Sequence, residues 1–393
     1  MNKRRIAFVV QRYGEEVNGG AEVLARWLAE HLLALAEVHV ITTCALDFHT
    51  WADHYPAGDS LLNGVAIHRF AVDAPRDWDK ASRHTGQLLI TDHTLFDEVQ
   101  WMKTQGPYST PLFNYLQATY TYFDAFVFVT YAYATTFFGL PLVSDKAILV
   151  PNAHEEPYLH LPVLRPLFHL PQAIIYNTEP ERQLVQSVWH NERVLSEVAG
   201  VGVNVPATIT AARFRQKYGL HGDFLLYVGR VDRSKNVPEL LDHFVQYKQD
   251  QPDNDLKLVL IGRPHFDLPQ HPDVVALGFV SEEDKFEGMA AATAVVMPSL
   301  YESLSIIALE SWLMGTPVLV NGRCAVLKYQ CRQSNGGLYY TNYAEFALSL
   351  STLLQSASLR QTLGQQGGRY VQKTYSWDSI LHKYQTILNK ITR

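Results

Sequence analysis

Residues 297–320 read MPSLYESLSIIALESWLMGTPVLV, and the fold turns on how this stretch is read. Met297 closes an apolar run that begins at Ala294, the composition of a strand buried on both faces of a parallel sheet. Pro298 and Ser299 break the run. Leu304, Ile307, Ala308 and Trp312 then recur at helical spacing, so a helix is expected from about Leu304 to Met314. Gly315 caps it, Pro317 bars its continuation, and Val318–Val320 opens the next strand. Strand, tight turn and helix in this order aim a helix N-terminus at whatever lies above the sheet. Backbone N–H groups of Ser303, Leu304 and Ser305 would be free there, beside the positive end of the helix dipole. That arrangement suits a phosphate.

Two carboxylates frame the turn. Glu302 lies in it, and Glu310 stands eight residues on, a rise of about 12 Å along a helix. This is close to the span from the hexose to the ribose of a nucleotide sugar. One carboxylate can then accept hydrogen bonds from sugar hydroxyls and the other from ribose hydroxyls, with the diphosphate between them. Ordinary solvated glutamates on a surface helix are the commoner case. Against that, the helix is apolar almost throughout, and Glu310 is its only charged residue.

Glu302 and Glu310 resemble the E-x7-E motif of the retaining GT-B-fold glycosyltransferases of family 4. Pro298-Ser299 and Gly315-Thr316-Pro317-Val318 flank them as in that family. Two small residues depart from its pattern: Ser303, where many members have Gly, and Ser311, where Ala is usual. The resemblance implies two Rossmann-like domains facing across a cleft, and retaining transfer of a hexose from a nucleotide-diphosphate sugar.

Composition narrows the alternatives. The 393 residues are 47% hydrophobic and 18% charged, which suits a folded chain of about two domains. Net charge is −6 with no basic run, so a nucleic-acid partner is not expected. No apolar run reaches the ~18 residues of a membrane span. Met1–Arg5 is basic, but the apolar Ile6–Val10 after it is too short for a signal peptide. The cysteines, Cys44, Cys324 and Cys331, follow no ligand or disulfide spacing, which points to a reducing cytoplasm. Peripheral contact with the inner face of a membrane through a local patch stays open.

In the first half, Arg5–Val10 reads as a buried strand and about Ala21–Leu35 as a helix. Gly19 and Gly20 between them let backbone approach a ligand. The G-x-G-x-x-G spacing of a dinucleotide site is absent, and the next strand, Glu37–Thr43, ends without the acidic residue such a site places near a ribose. Residues 44–124 are the least regular: an aromatic-rich loop around Phe48–Trp51 and Tyr55–Gly58, a strand at Val65–Val72, then mostly helix. Aromatic platforms serve sugars well, although aromatics at helical spacing are more often core. Strands return at Ala125–Thr130, Ala147–Pro151, Ala173–Asn177 and Arg193–Val198. Tyr131 follows one strand end, where sites gather in open α/β sheets, and His154 follows another. Both are acceptor-side candidates. His154 and His160 do not have the spacing of a helical zinc motif, and no metal site is expected.

The second half alternates strand and helix. Phe224–Val228 leads into Gly229-Arg230-Val231-Asp232-Arg233-Ser234-Lys235-Asn236, where Arg230 offers a planar fork and Lys235 a point charge to a diphosphate. Solvated loop cations are the plainer reading of either alone. The loop is similar to the family's G-R-x4-K segment; Asn236 replaces its usual Gly and tolerates the same left-handed backbone. Further strands are expected at Leu256–Ile261, Val274–Val280, Pro317–Asn321 and Gly337–Tyr340, with helices at about 282–292, 343–355, 357–368 and 377–391. By resemblance, Arg263 and Val280 are candidates for base contacts, Gly19, Gly20 and Gly229 for the donor phosphates, and Tyr131 stands where the family often has His.

The expected architecture is an acceptor-binding domain over 1–205, completed by a terminal helix over 376–393, and a nucleotide-sugar domain over 206–375. Arg230, Lys235 and Glu302 are the expected catalytic set; Ser303, Leu304, Ser305 and Glu310 complete donor binding. No cofactor is implied beyond a UDP- or GDP-linked donor, and the acceptor would be a glycan or a lipid-linked glycan, as in surface polysaccharide synthesis. The rivals are a sugar-nucleotide epimerase of the same fold and a non-catalytic nucleotide-sugar or glycan-binding protein, the latter favoured by Tyr131.

Overall fold

The structure is a computed structural model that describes residues 3–391. Residues up to Gly202, with those from Trp377 on, form one compact unit; Val203–Ser376 form a second.

The first unit opens with β1 (Arg5–Val9), α1 (Gly20–Leu32), β2 (Glu37–Thr43), β3 (Gly58–Leu62) and β4 (Val65–Phe70). Three helices follow, α2 (Trp78–Ile90), α3 (Leu95–Gln105) and α4 (Thr110–Ala118), then β5 (Ala125–Val129) and α5 (Ala134–Gly139). β6 (Ala147–Val150), β7 (Ala173–Tyr176), α6 (Glu179–Trp189) and β8 (Leu195–Val198) complete the sheet, whose order is β3-β4-β2-β1-β5-β6-β7-β8. All pairings are parallel except β3 with β4. The central strands are buried along nearly their whole length, which is why they read as unbroken apolar runs.

β3 is a correction to the sequence reading, which left Gly58 and its neighbours in a loop. Asn63 and Gly64, with φ of 51° and 85°, turn β3 into β4 as an Asn-Gly hairpin. The strand is exposed and lacks apolar alternation, so its composition concealed it.

The second unit comprises α7 (Ala211–Tyr218), β9 (Phe224–Val228), α8 (Val237–Asp250), β10 (Lys257–Ile261), β11 (Val274–Gly278), α9 (Glu282–Ala291) and β12 (Ala294–Met297). After these come α10 (Ile306–Leu313), β13 (Val318–Asn321), α11 (Ala325–Ser334), β14 (Gly337–Tyr340), α12 (Tyr343–Gln355) and α13 (Ala357–Thr374). Its six strands run β11-β10-β9-β12-β13-β14, all parallel. α11 was not foreseen. α13 runs past Gly368, where the sequence reading stopped it, because its glycines pack rather than break. A Cβ on Gly364 would lie 1.8 Å from the Gly315 carbonyl, and one on Gly367 2.2 Å from the Trp312 ring.

The last helix, α14 (Trp377–Ile391), belongs to the first unit. Trp377 stacks on His31 at 3.5 Å between ring centroids, and Lys383 donates to the Val198 carbonyl at 2.8 Å. Residues 392 and 393 of the expected terminal helix lie outside the described residues.

Each sheet reverses its winding once, between β1 and β5 in the first and between β9 and β12 in the second. In open α/β sheets the carboxyl ends of the strands beside such a reversal form the binding crevice.

Candidate active site

The reversal in the second unit brings together the loop after β9 and the turn after β12. Asp232 shapes the first: its Oδ1 accepts from the Lys235 N–H at 3.0 Å and the Ser234 hydroxyl at 2.7 Å. Asn236 then takes the left-handed conformation (φ 58°) and starts α8. Its side-chain amide donates to the Pro298 carbonyl at 3.2 Å, tying the β9 loop to the end of β12. Across that tie, Lys235 Nζ lies 2.7 Å from Glu302 Oε1, with 29% and 17% of the two side chains exposed. The cation read as a phosphate clamp and the carboxylate read as a hexose contact are thus one ion pair.

Arg230 is half exposed, donating to Ser234 Oγ at 3.2 Å with its Nε 3.5 Å from Asp232 Oδ2. Gly229 (φ 143°) and Gly262 (φ 137°) form the close approach beside it. A Cβ on Gly262 would sit 1.8 Å from the Gly229 carbonyl, so only glycine fits. Exposed Arg263 and half-buried Val280 stand just past the ends of β10 and β11.

The helix start differs from the sequence reading. α10 begins at Ile306, not Leu304, because Ser305 adopts φ 65°, ψ 82° and acts as N-cap. The first helical amides are those of Ile306 and Ile307; the expected role of Ser303, Leu304 and Ser305 as the opening helical N–H donors is corrected accordingly. A serine held in the left-handed region is a strained position of the kind that collects at ligand sites. Leu304 is buried, and the Ser305 hydroxyl lies 3.8 Å from the Met297 sulfur.

Glu310 is 1% exposed and was not legible as a paired residue. Its Oε1 accepts from Lys285 Nζ of α9 at 2.8 Å, and Lys285 also reaches exposed Glu282 at 2.8 Å. Glu310 Oε2 is buried without a hydrogen-bond partner among the described residues. Burial raises the Glu310 pKa, with Lys285 opposing the rise. Burial works against the charge on Lys285 too, but Glu310 and Glu282 outweigh it, so its pKa is raised. Lys285 takes one carboxylate oxygen of Glu310 and leaves the other over. A buried acceptor without a donor is costly.

Behind the ion pair, Glu239 of α8 accepts from Asn236 and from Arg323. Fully buried Asn321, at the end of β13, donates to the Pro298 carbonyl at 3.0 Å and accepts from the Arg323 N–H at 3.0 Å. This network fixes three strand ends relative to one another, and nothing in the sequence spacing marked it. Cys324, next along, is buried; burial pushes its thiol up to about 11, so it stays protonated.

The first unit's candidates fare differently. Gly19 is the N-cap of α1, and a Cβ there would lie 2.1 Å from Glu22 Oε2. Buried Glu22 accepts from Gln11 at 2.9 Å and from Arg12 at 2.6 Å and 2.9 Å. Gly19 therefore makes room for a carboxylate of this chain, whereas Gly20 has open space where a Cβ would go. Tyr131 is corrected: it is fully buried in the hydrophobic core against Phe168 and Tyr158, and presents no surface to an acceptor. His154 is partly exposed, its Nδ1 2.6 Å from Glu156 Oε1. Beneath it, buried Glu181 accepts from the Ala153 N–H at 2.6 Å and the Asn177 N–H at 2.5 Å, joining the ends of β6 and β7.

Among the described residues no three His, Cys, Asp or Glu side chains are grouped to hold a metal ion, and no helix is long and apolar enough to cross a membrane.

Comparison with known proteins shows a likeness to glycosyltransferases. Residues 222–356 match the family model of Glycosyl transferases group 1. The D-inositol 3-phosphate glycosyltransferase of Arthrobacter sp. strain FB24 is 25% identical over 401 residues, covering 94% of this chain and 91% of that protein. Against three other curated glycosyltransferases the chain spans only 45%, 38% and 41% of their length. The sucrose-phosphate synthase of Thermosynechococcus elongatus superposes with a TM-score of 0.75 at 17% identity, over 99% of each chain. Anabaena HepE, solved in complex with UDP-glucose, gives 0.70 at 16% identity, over 99% of each chain. The fold is GT-B, two Rossmann-like domains.

Proposed function

We propose that this protein is a glycosyltransferase that moves a hexose from a nucleotide-diphosphate sugar, with retention at the anomeric carbon, to a glycan or lipid-linked acceptor held by the first unit. The observation that carries the reading is the Lys235–Glu302 pair at the sheet reversal, with the unsatisfied Glu310 carboxylate oxygen on the helix behind it. Glu310 Oε2 accepts from ribose hydroxyls. Lys235 and Arg230 meet the diphosphate, and Glu302 turns from Lys235 to the hexose hydroxyls. The bond from the anomeric carbon to the diphosphate oxygen breaks as the acceptor oxygen bonds to the same face, and the acceptor's proton passes to the leaving phosphate. Charge therefore grows on the diphosphate in the transition state, where preorganised cations act most strongly. No metal or cofactor is required in this scheme. The UDP-glucose bound by HepE supports a UDP-linked hexose, and the glycosyltransferase names of the relatives support the reaction class. The resemblance noted from the sequence suggests surface polysaccharide synthesis as the setting.

Calorimetric titration of UDP into Glu302→Gln and Glu310→Gln, with release of nucleoside diphosphate from UDP-hexoses, tests the assignment. Glu310→Gln should weaken UDP by about 1–3 kcal/mol, the range of lost charge-assisted hydrogen bonds. Glu302→Gln should bind UDP at least as well as the wild type, because Lys235 is freed for the phosphates, while kcat falls. Equal UDP binding by both variants, or weaker binding by Glu302→Gln, would reverse the roles.

A further inference from the structure

The loop after β2 is braced far beyond what its sheet requires. Buried Arg76 donates from every side of its guanidinium: to the Phe48 carbonyl, to His49 O at 3.0 Å and to Gln105 O at 2.9 Å. Trp51, at φ 53° and fully buried, donates its indole N–H to the same Gln105 carbonyl at 2.7 Å. Asp47 Oδ1 accepts from the His49 N–H at 3.0 Å and the Thr50 N–H at 2.8 Å. From the other side, Arg12 donates to Leu46 O at 2.7 Å. The Arg76 guanidinium carbon lies 4.7 Å from the Trp51 ring centroid and 4.8 Å from that of Trp78. Burying a guanidinium is unfavourable even when its N–H groups are satisfied. What this device holds still is a set of rings.

Trp78, the first residue of α2, is 40% exposed. Half-buried His49 and Phe48 stand edge-on to it, with centroids 4.6 Å and 5.3 Å away. Trp51 meets Tyr133 at 5.4 Å, just past the end of β5, so the cluster is continuous with the reversal between β1 and β5. Asp77 and Asp79 flank Trp78 and are exposed, and the Arg76 guanidinium is spent on carbonyls. A rigid aromatic ring flanked by two exposed carboxylates, of which Asp77 also caps α2 through the Lys80 N–H, suits the hydroxyls of an uncharged polyol ring.

We propose that Trp78, with Phe48 and His49 as its walls, is a platform on which a neutral hexopyranose of the acceptor glycan stacks. This rests on the glycosyltransferase reading and names the acceptor class. The full-length protein, loaded with UDP, is applied to immobilised neutral hexose oligosaccharides (malto-, cello- and mannohexaose) and to an acidic one, a heparin hexasaccharide. Wild type should retain at least one neutral oligosaccharide. Trp78→Ala should lose about tenfold or more in that affinity, and Trp78→Phe should restore most of it. Phe96→Ala, which removes a 68% exposed ring elsewhere in the same unit, should change nothing. UDP affinity, measured in parallel, should be the same in all variants. Retention of the oligosaccharides by Trp78→Ala at wild-type strength overturns the platform, as does wild-type binding of the acidic ligand alone or of none. Loss of UDP binding in the wild type, with neutral sugars still retained through Trp78, instead breaks the donor reading and leaves the platform standing.

Discussion

Replacing Lys285 by Met isolates the buried carboxylate on which donor binding is argued to depend. Lys285 Nζ is 2.8 Å from Glu310 Oε1, with 13% of the lysine side chain and 1% of the glutamate exposed. Removing one partner of such a pair leaves a charge without compensation, at a cost of about 3–5 kcal/mol. The second contact of Lys285, to Glu282, is largely solvated on the acid's side and adds less than about 1 kcal/mol. Glu310 can escape part of the penalty by taking up a proton, because burial already raises its pKa and Lys285 is what opposes the rise. A folded pKa above the unfolded one means stability that is intact below the ordinary carboxylate range and is lost as pH rises through the folded value. Lys285→Met should therefore be less destabilised at pH 5 than at pH 8. The double variant Lys285→Met/Glu310→Leu, which removes both charges, should recover to within about 1 kcal/mol of wild type, since apolar replacement of a buried pair is often neutral. Neither variant should recover UDP affinity: a neutral acid accepts ribose hydroxyls weakly and a leucine not at all. Urea denaturation at the two pH values and calorimetry with UDP measure these quantities. A single variant within 1 kcal/mol of wild type at pH 8, or a double variant that binds UDP normally, would refute the reasoning.

Other expectations follow from the same geometry. Lys235→Ala should cost less than about 1 kcal/mol of stability, its pair with Glu302 being partly solvated, yet lower kcat by about 10²-fold or more; unchanged turnover in a folded variant removes Lys235 from the site. Transfer should persist in excess EDTA, and complete loss restored by Mg²⁺ or Mn²⁺ would point to another class of transferase. Glu181 is pushed by burial up to about 8, with the N–H groups of Asn177, Ala153 and Thr178 opposing; its stabilising contribution is present below the ordinary carboxylate range and declines as pH rises through about 8. Melting temperature should accordingly fall between pH 5.5 and 8.5, with a shallower slope in Glu181→Gln; equal slopes would contradict this.

What the sequence made legible was what local chemistry decides. Asn236 was expected to tolerate a left-handed backbone, and it takes φ 58°. β2, β9, β12 and α12 begin and end at the residues where apolar runs and capping residues placed them. Misreadings arose where one residue type serves two purposes. Gly368 reads as the end of a helix, yet it lies inside α13, where glycine lets that helix pass close to the Trp312 carbonyl. Ser305, with no local mark against helix, is carried into the left-handed region and shortens α10 by a half-turn.

Tyr131 and Glu310 show the other limit. The rule that sites gather at carboxyl ends of parallel strands gives a position but not a direction. Tyr131 stands at such an end and points into the core; Glu302, at another, meets the cation of the neighbouring loop. Direction is fixed by what packs around the strand end, which no spacing within one segment contains. Lys285 is the clearest case. It sits among Glu282, Glu283 and Asp284 at the start of α9, where it reads as an ordinary surface cation. Only the packing of α9 beside α10 brings it to Glu310, and only then does the apolar character of α10 make sense: its single carboxylate is buried because a lysine from another helix is buried with it. The motif marked two glutamates, but the fold makes them chemically unlike. Glu302 shares a partly solvated cation, whereas Glu310 holds a buried lysine and leaves one oxygen without a donor. In the proposed transfer, the solvated contact suits the part of the donor that reacts, and the buried one suits the part that does not.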